Sequence, residues 1–477
     1  MADLLLRAAW LWAGADTPPQ PDARVLLRDG VVAALGMEAT GVPVLDMGDA
    51  VLVPGFTCAH QHGRGLSQLQ LGYPDDRLEA WANRRRLRGG PAAHPLVLLA
   101  AARMLANGIT GCLHANWSYG GPQEEELAEV SRAYAESGMR AAICVGVADR
   151  GALVLPEEAT DGFIAGLPPA LRPLAQSVRR HPFIATAAEA ARVHDGLSAR
   201  WAGTRLRFMF GPAGPHWVSD RLFAELAAAA RDRATGLHFH LLESPAQQQA
   251  CRAIYPEGVM RRLLALGALG PRNSAAHGVY LTPDDMAVMA GTGTALVLNP
   301  GSNLRLHNGP PPVSALARSG VRLALGGDDC ELNDDRDPWG ELRLVATLGH
   351  LPPAELLRAA TETAAAVAGL PGGRIAPGLP ADIVALAPPA AHDPDLPLEH
   401  ALTGRATGRD VRMTMVGGEV LYRDGRLPRH DLPTLEQAAL EAARAVRRHP
   451  ARAPADVEAL GRALLDFYAS TGAAPGR

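Results

Sequence analysis

The sequence predicts an α/β fold, a (β/α)8 TIM-type barrel with a small β-sandwich domain formed by both chain ends. Three observations predict it. From residue 54 to about 370, strand-like apolar runs alternate with Ala/Leu/Arg-rich helical stretches, the rhythm of parallel strands joined by helical crossovers. Eight such runs occur, the number that closes a barrel of this type. Short alternating runs punctuated by Asp-Gly and Gly-Gly occupy both ends of the chain, a pattern of antiparallel hairpins.

Residues 1–53 carry LLLRAAWLW, RVLLRDG, VVAALG and VPVLDMGDAVLV, with Asp29-Gly30 as a tight-turn signal. They are too few for a well-buried core alone and are expected to form the first part of the β-sandwich. Residues 54–370 hold the barrel. Its strands are expected at 55–60, 109–115, 140–147, 205–211, 236–242, 273–279, 295–300 and 321–328. Helices are expected between them, for instance at 95–108, 124–138 and 219–233, the last with Ser219 as N-cap. An open doubly wound sheet would require a Gly-rich phosphate turn after the first strand, and Gly63-Arg64-Gly65 lacks that spacing. Residues 371–430 return to β pattern, with turns at Gly417-Gly418 and Asp424-Gly425, and supply the second part of the sandwich. Residues 431–477 read as a C-terminal helical tail packed on the barrel or on another subunit.

Composition narrows the function. With 477 residues, 47% hydrophobic and 20% charged, the chain has the profile of a soluble globular protein. A net charge of -4 gives no electrostatic case for nucleic acid or an anionic membrane. No 18-residue apolar stretch occurs, and Asp3 and Arg7 interrupt the N-terminus, so neither a membrane span nor a signal peptide is expected. Five scattered cysteines without a CxxC suit free thiols in a reducing cytoplasm. A homo-oligomer, a dimer, acting on a small molecule is the expected assembly. All 46 basic residues are arginine. That excludes a Schiff-base lysine, a phosphate-loop lysine and a lysine carbamate bridging two metals.

In such a barrel, chemistry sits at the C-terminal strand ends. His60 and His62, two residues apart on a strand, project from one face and can grip one divalent cation. The fifth strand carries His238 and His240, followed by Glu243; the sixth carries His277; the eighth ends in Asp328-Asp329. A lone histidine in an apolar strand is usually a core or rim residue. Four strand ends that all carry ligands or proton carriers point to a metal-assisted site.

These motifs resemble the amidohydrolase superfamily, in the branch of cytosine and guanine deaminases, S-adenosylhomocysteine deaminases and triazine hydrolases. PGFTCAHQH is similar to its PGF-x-x-x-H-x-H strand, HLLE at 240–243 to its H-x-x-E, and AHG at 276–278 to its strand-six histidine. LALGGD at 323–328 resembles its strand-eight aspartate, NPGSN at 299–303 its NP-x-SN, and GLPADIVAL its G-x-x-ADLVVLD segment. The likeness covers about residues 1–430. It implies that His60, His62, His240 and Asp328 ligate one divalent metal, Zn2+ by donor type, with Fe2+ or Mn2+ as alternatives. His238 could compete as a ligand, but the H-x-x-E spacing favours His240.

The implied reaction is hydrolytic deamination of an amino-substituted pyrimidine, purine, pterin or triazine. A metal lowers the pKa of its water from 15.7 to about 7, giving a hydroxide nucleophile. Asp328 accepts the proton, His277 orients the nucleophile or polarises the bond, and Glu243 carries protons to the ring nitrogen and the leaving amine. Alternatives are hydrolysis of a cyclic amide or of an N-alkylamino or halo substituent, and a non-catalytic scaffold that keeps the fold. Substrate-side candidates are Gln68, Gln70 and Tyr73 after the first strand, Trp117, His216, Asn303 and Asp329. Residues 77–90, with five arginines, read as a solvated helix face, with contact to an acidic substrate group as the alternative.

Overall fold

The computed structural model describes residues 3–117, 121–388 and 396–471. The fold is mixed α/β, and its strands fall into one end sheet and two parallel sheets. The end sheet comprises β1 (Leu4–Leu11), β2 (Gln20–Arg28), β3 (Val31–Leu35), β4 (Val44–Asp46) and β5 (Val51–Pro54), and then β14 (Ile383–Leu386), β15 (Val411–Val416) and β16 (Glu419–Arg423). Its strand order is β16-β15-β14-β5-β1-β2-β3, with β4 beside β1. Both chain ends therefore meet where β5 pairs antiparallel with β14, Leu52 opposite Ala385. At the other edge, Val32 of β3 exchanges backbone hydrogen bonds with Leu379 and Gly378, just before β14. The sheet thus returns toward itself around a core that includes Leu6, Val25, Leu52, Ile383 and Met413.

The turns follow the residues at their tips. Asp29 and Gly30 join β2 to β3 at φ 48° and 78°, and Gly417 and Gly418 join β15 to β16 at φ 54° and 81°. Both are left-handed pairs, whose twist suits tight antiparallel connections.

The first parallel sheet runs β6 (Phe56–Gln61), β7 (Ile109–Ala115), β8 (Arg140–Val147), β9 (Leu206–Pro212). The second runs β10 (His238–Leu241), β11 (Ser274–His277), β12 (Ala295–Leu298), β13 (Leu323–Leu325). Parallel bridges join them at both lateral edges, Phe210 to Leu237 and Gln61 to Asp328. All eight expected strands are present in order, and β7 and β8 span the expected residues. The helix Asp220–Asp232 starts at Ser219, whose hydroxyl accepts from the Leu222 N–H. This cap satisfies an N–H that the first helical turn leaves free. Arg140 at the base of β8 forks onto Asp382 beside β14, at 2.6 and 3.0 Å, and fastens the parallel strands to the end sheet.

The C-terminal segment forms two helices, Leu432–Arg448 and Pro454–Ser470, broken at the expected HPARAP. The first buries Ala439 and Ala443 against Leu66, Leu71, Tyr73, Leu96 and Leu99. The second lies on the helix Leu78–Arg88, where Glu458 meets Arg84 at 3.2 Å and Arg88 at 2.6 Å. The arginine-rich segment is therefore no solvated face. Arg84 and Arg85 are buried, because Asp329 and Glu458 supply carboxylates from distant parts of the chain and Asp76 supplies one from just before the segment. No helix among the described residues is long and apolar enough to cross a membrane.

Candidate metal and catalytic site

The site is built at the C-terminal ends of four strands, β6, β10, β11 and β13, and each imidazole in it is held from behind. His62 Nδ1 donates to the Ala115 carbonyl at 2.5 Å, and His240 Nδ1 to the Ala213 carbonyl at 3.0 Å. A carbonyl can only accept, so both rings carry their proton on Nδ1 and leave the Nε2 lone pair free. His277 Nδ1 meets Asn303 Oδ1 at 2.9 Å, and His60 Nδ1 meets His238 Nε2 at 2.7 Å. His238 Nδ1 in turn lies 2.7 Å from Ser274 Oγ. His238 thus stands behind His60, with its Nε2 occupied by that ring.

The free nitrogens converge. Ligand atoms of His60, His62 and His240 lie within 4.8 Å of one another, and so do those of His60, His277 and Asp328. Asp328 Oδ1 is 3.0 Å from His62 Nε2 and 3.4 Å from His60 Nε2. The Nε2 atoms of His60 and His277 are buried without a hydrogen-bond partner. Buried polar atoms normally find partners. A constellation of unpartnered imidazole nitrogens beside a carboxylate matches the donor set of a divalent cation, with outer partners that fix each ring.

Electrostatics agree with that chemistry. Burial lowers the pKa of His60, drives that of His240 well below the ordinary imidazole value and brings His277 to about 4, so these rings are neutral. Burial opposes ionisation of Asp328; His60 and His62 draw its carboxyl well below the usual carboxylate range only where their Nε2 atoms donate to it, a role that a divalent cation among the same atoms would take over once those lone pairs are free. Glu243 shows the reverse. Burial first, then the nearby Asp328 and Glu79 carboxyls, raise it well above the usual range. Glu243 Oε1 accepts from Asn308 Nδ2 at 2.9 Å, while Oε2 sits 3.6 Å from His277 Nε2. The two carboxyls thus sit in surroundings that shift them in opposite directions, the kind of difference by which environment divides acid from base. His277 and Asp328 are both left-handed, at φ 79° and 55°, conformations that cost energy and cluster at functional sites.

Surrounding residues position these groups. Ser302 Oγ donates to Asp328 Oδ2. The buried Arg336 donates to the Arg64 and Asp328 carbonyls, both at 3.0 Å, and so ties the loop after β6 to the loop after β13. Gly326 lets β13 approach β6: a Cβ there would lie 2.9 Å from His60 Cβ and 2.3 Å from Asn299 Oδ1.

A cavity opens over the free nitrogens, lined by His62, His240, Glu243, Asp328, Asp329 and an aromatic wall of Trp81, Trp117 and Trp217. The structure places the substrate-side candidates unequally around it. Trp117 faces the cavity, with its ring 5.3 Å from that of His240. Asp329 also faces it, with its carboxylate engaged by Arg85 and, at 3.4 Å, by Arg64. Gln68 lies behind, its amide 3.4 Å from the Asp329 carbonyl, and Asn303 reaches the site through His277. His216 is buried against Trp217 at 4.0 Å, outside the cavity lining. Gln70 closes a capping box with Ser67, and Tyr73 lies beneath Arg85. Trp81, Arg85, Trp217 and Asn308 carry no motif that would single them out in the sequence, although Arg85 belongs to the arginine run and Trp217 adjoins His216.

The Amidohydrolase family matches residues 51–421, most of the chain and every residue of this site. The chain belongs to the amidohydrolase family. A 5-methylthioadenosine/S-adenosylhomocysteine deaminase of Nitratidesulfovibrio vulgaris is 30% identical over 460 residues, 91% of this amidohydrolase and 95% of that protein. A 5'-deoxyadenosine deaminase of Methanosarcina mazei is 28% identical over 467 residues, 93% and 98% of the two chains. Among solved structures, an adenosine deaminase from Xanthomonas campestris with bound zinc superposes with a TM-score of 0.77 at 23% identity, covering 94% of this chain and 99% of that one. An atrazine chlorohydrolase from Arthrobacter aurescens, complexed with zinc, gives 0.75 at 20%, covering 92% and 100%. These structural likenesses concern the fold.

Proposed function

We propose that this amidohydrolase is a metal-dependent aminohydrolase that removes ammonia from an amino-substituted purine-type heterocycle. The observation that carries the reading is the set of anchored imidazoles, Nδ1 bound behind and Nε2 in front, converging on the Asp328 carboxylate with the Glu243 carboxyl 3.6 Å from His277 Nε2. In this reading His60, His62, His240 and Asp328 hold one divalent cation, with zinc favoured by three nitrogens and one carboxylate. The eight parallel strands of residues 54–370 are read as one closed barrel, residues 1–53 and 371–430 as the sandwich beside it, and 431–477 as the helical tail. The five buried, unpaired cysteines suit a reducing cytoplasm, and a homodimer is the expected assembly, open to light scattering.

When bound, the cation supplies a water acidified to near neutral pH. The residues divide the remaining work. Asp328 is ionised and takes a proton from the attacking water. His277, neutral with its proton held toward Asn303, offers Nε2 as an acceptor that orients that water. Glu243 holds a proton at the wall of the cavity and delivers it to the ring nitrogen beside the amino-bearing carbon; the proton taken up by Asp328 passes to the departing amine, and the second water proton, shed as the carbonyl forms, restores Glu243. The water oxygen becomes the carbonyl oxygen, the exocyclic C–N bond breaks and ammonia leaves. Trp81, Trp117 and Trp217 offer flat faces to the ring and exclude bulk water.

Ammonia release from adenosine-type nucleosides, with free purines, pterins, pyrimidines and triazines as comparators, tests the reading. Turnover confined to amino-purines supports it. Release of halide or alkylamine without ammonia would replace it with the other hydrolytic reading, and intact metal without turnover of any comparator would favour a scaffold.

A further inference from the structure

His277 and Glu243 leave the ends of different strands, yet one short segment after β12 holds both. The helix Pro300–Arg305 ends there, and the chain turns at His307, with φ 55°. Asn303 Oδ1 accepts from His277 Nδ1 at 2.9 Å. Further along the segment, Asn308 Nδ2 donates to Glu243 Oε1, also at 2.9 Å. The segment is closed on itself, because the Asn308 N–H donates to the Asn303 carbonyl at 2.8 Å. It is closed from outside as well: Tyr280 Oη donates to the Asn308 carbonyl at 2.7 Å. Tyr280 follows shortly after His277, so the loop that carries the imidazole is tied to the segment that grips the carboxyl. Asn308 is 1% exposed, and bulk water does not replace a donor buried in this way.

The bond from Asn308 distinguishes the two oxygens of Glu243. An amide N–H can only donate, so Oε1 serves as its acceptor. The carboxyl proton is left to Oε2, the oxygen 3.6 Å from His277 Nε2. Gln247, the other amide beside Glu243, has its Oε1 on the Glu243 backbone N–H at 2.9 Å and steadies the main chain. The last torsion of a glutamate is broad and roughly two-fold, so without Asn308 the carboxyl can turn and present its proton away from the reacting atoms. A proton donor turned away for part of the time loses the advantage of a fixed geometry.

We propose that Asn308, backed by Tyr280, is a positioning residue: it holds Oε1 of Glu243 and makes Oε2 the oxygen that gives up the proton and takes one back. The inference rests on the reading of Glu243 as the proton carrier of a deaminase. Asn308 touches the carboxyl and does not line the cavity, so its loss slows turnover and leaves substrate binding alone.

The test is a double-mutant cycle on the zinc-loaded enzyme, read by ammonia release from the adenosine-type nucleoside that the wild type turns over fastest. Asn308→Ala and Asn308→Leu are expected to lower kcat about 10- to 100-fold, the scale of a misplaced catalytic group, with KM unchanged. Tyr280→Phe, at the partly exposed end of the chain of bonds, is expected to lower kcat roughly two- to tenfold, the worth of one hydrogen bond. In a Glu243→Gln background each substitution is expected to change kcat by less than about threefold, because residues that act as a unit do not add. Equal losses in both backgrounds would make Asn308 a support of the fold and overturn the inference. If neither Asn308 variant folds, Tyr280→Phe carries the cycle. Loss of turnover in Glu243→Gln, with kcat unmoved in every Asn308 and Tyr280 variant that folds, overturns the inference alone. A Glu243→Gln variant as active as wild type overturns the proton-carrier reading and this inference with it. A wild type that releases no ammonia from any such nucleoside overturns the deaminase reading as well.

Discussion

Replacing Glu243 by glutamine isolates proton transfer from everything else the site does. The two side chains have the same shape, and the glutamine Oε1 can still accept from Asn308 Nδ2, which lies 2.9 Å from the native Oε1. The Glu243 backbone N–H remains on Gln247 Oε1 at 2.9 Å. Since burial favours the neutral carboxyl in the native protein, a neutral amide costs little in stability. What disappears is the exchangeable proton on Oε2. General acid–base groups contribute about 10²- to 10⁴-fold in rate, equivalent to roughly 2.7 to 5.5 kcal/mol of barrier at 1.36 kcal/mol per decade. The expected outcome is a loss of that size in kcat/KM for ammonia release, with one metal per chain retained by mass spectrometry and an unchanged melting curve. A variant within threefold of wild type would remove Glu243 from the chemistry. Loss of the metal would make it a ligand instead of a proton carrier.

Further outcomes follow from the same geometry. His238→Phe removes the partner of His60 Nδ1 and should weaken zinc affinity about 10- to 100-fold with the fold intact; competitive chelator titration reads this, and wild-type affinity would contradict the relay. Arg140→Met strips Asp382 of its forked partner, with the carboxylate only 3% exposed. Removing one member of such a buried pair costs roughly 3–5 kcal/mol, so urea denaturation should show that loss, and less than 1 kcal/mol would mean that the end sheet does not depend on this tie. Gly326→Ala places a Cβ 2.9 Å from His60 Cβ and its carbonyl oxygen. Overpacking of that kind costs about 1–3 kcal/mol, and metal occupancy should fall along with stability; unchanged values for both would show that β13 can move away from β6.

The strands were legible because their signal is local. β7 and β8 are apolar runs bounded by helical pattern, and they span the residues that periodicity assigns. The run at 321–328 shortens to Leu323–Leu325 because Gly326 and Gly327 lead out of the strand to carry Asp328 back to the His60 carbonyl. The candidate ligands were legible through spacing, as in His60-Gln61-His62 and His240-x-x-Glu243. Their supports were not. Nothing near His238 says that its ring belongs behind His60, 178 residues earlier. The left-handed backbone at His277 and Asp328 is a property of the assembled loops, not of residue type. The arginine run misled most, because a stretch rich in charge reads as solvated until its carboxylates arrive from Asp329 and Glu458, hundreds of residues away.

The account rests on one cation held by segments distant in sequence. Diffraction data collected on either side of the zinc absorption edge, from crystals of the zinc-loaded protein, test this most directly. The predicted result is a single anomalous peak per chain, about 2.0–2.2 Å from the Nε2 atoms of His60, His62 and His240 and from an Asp328 carboxylate oxygen. A map without a peak among those atoms, or with its peak on other residues, would contradict it.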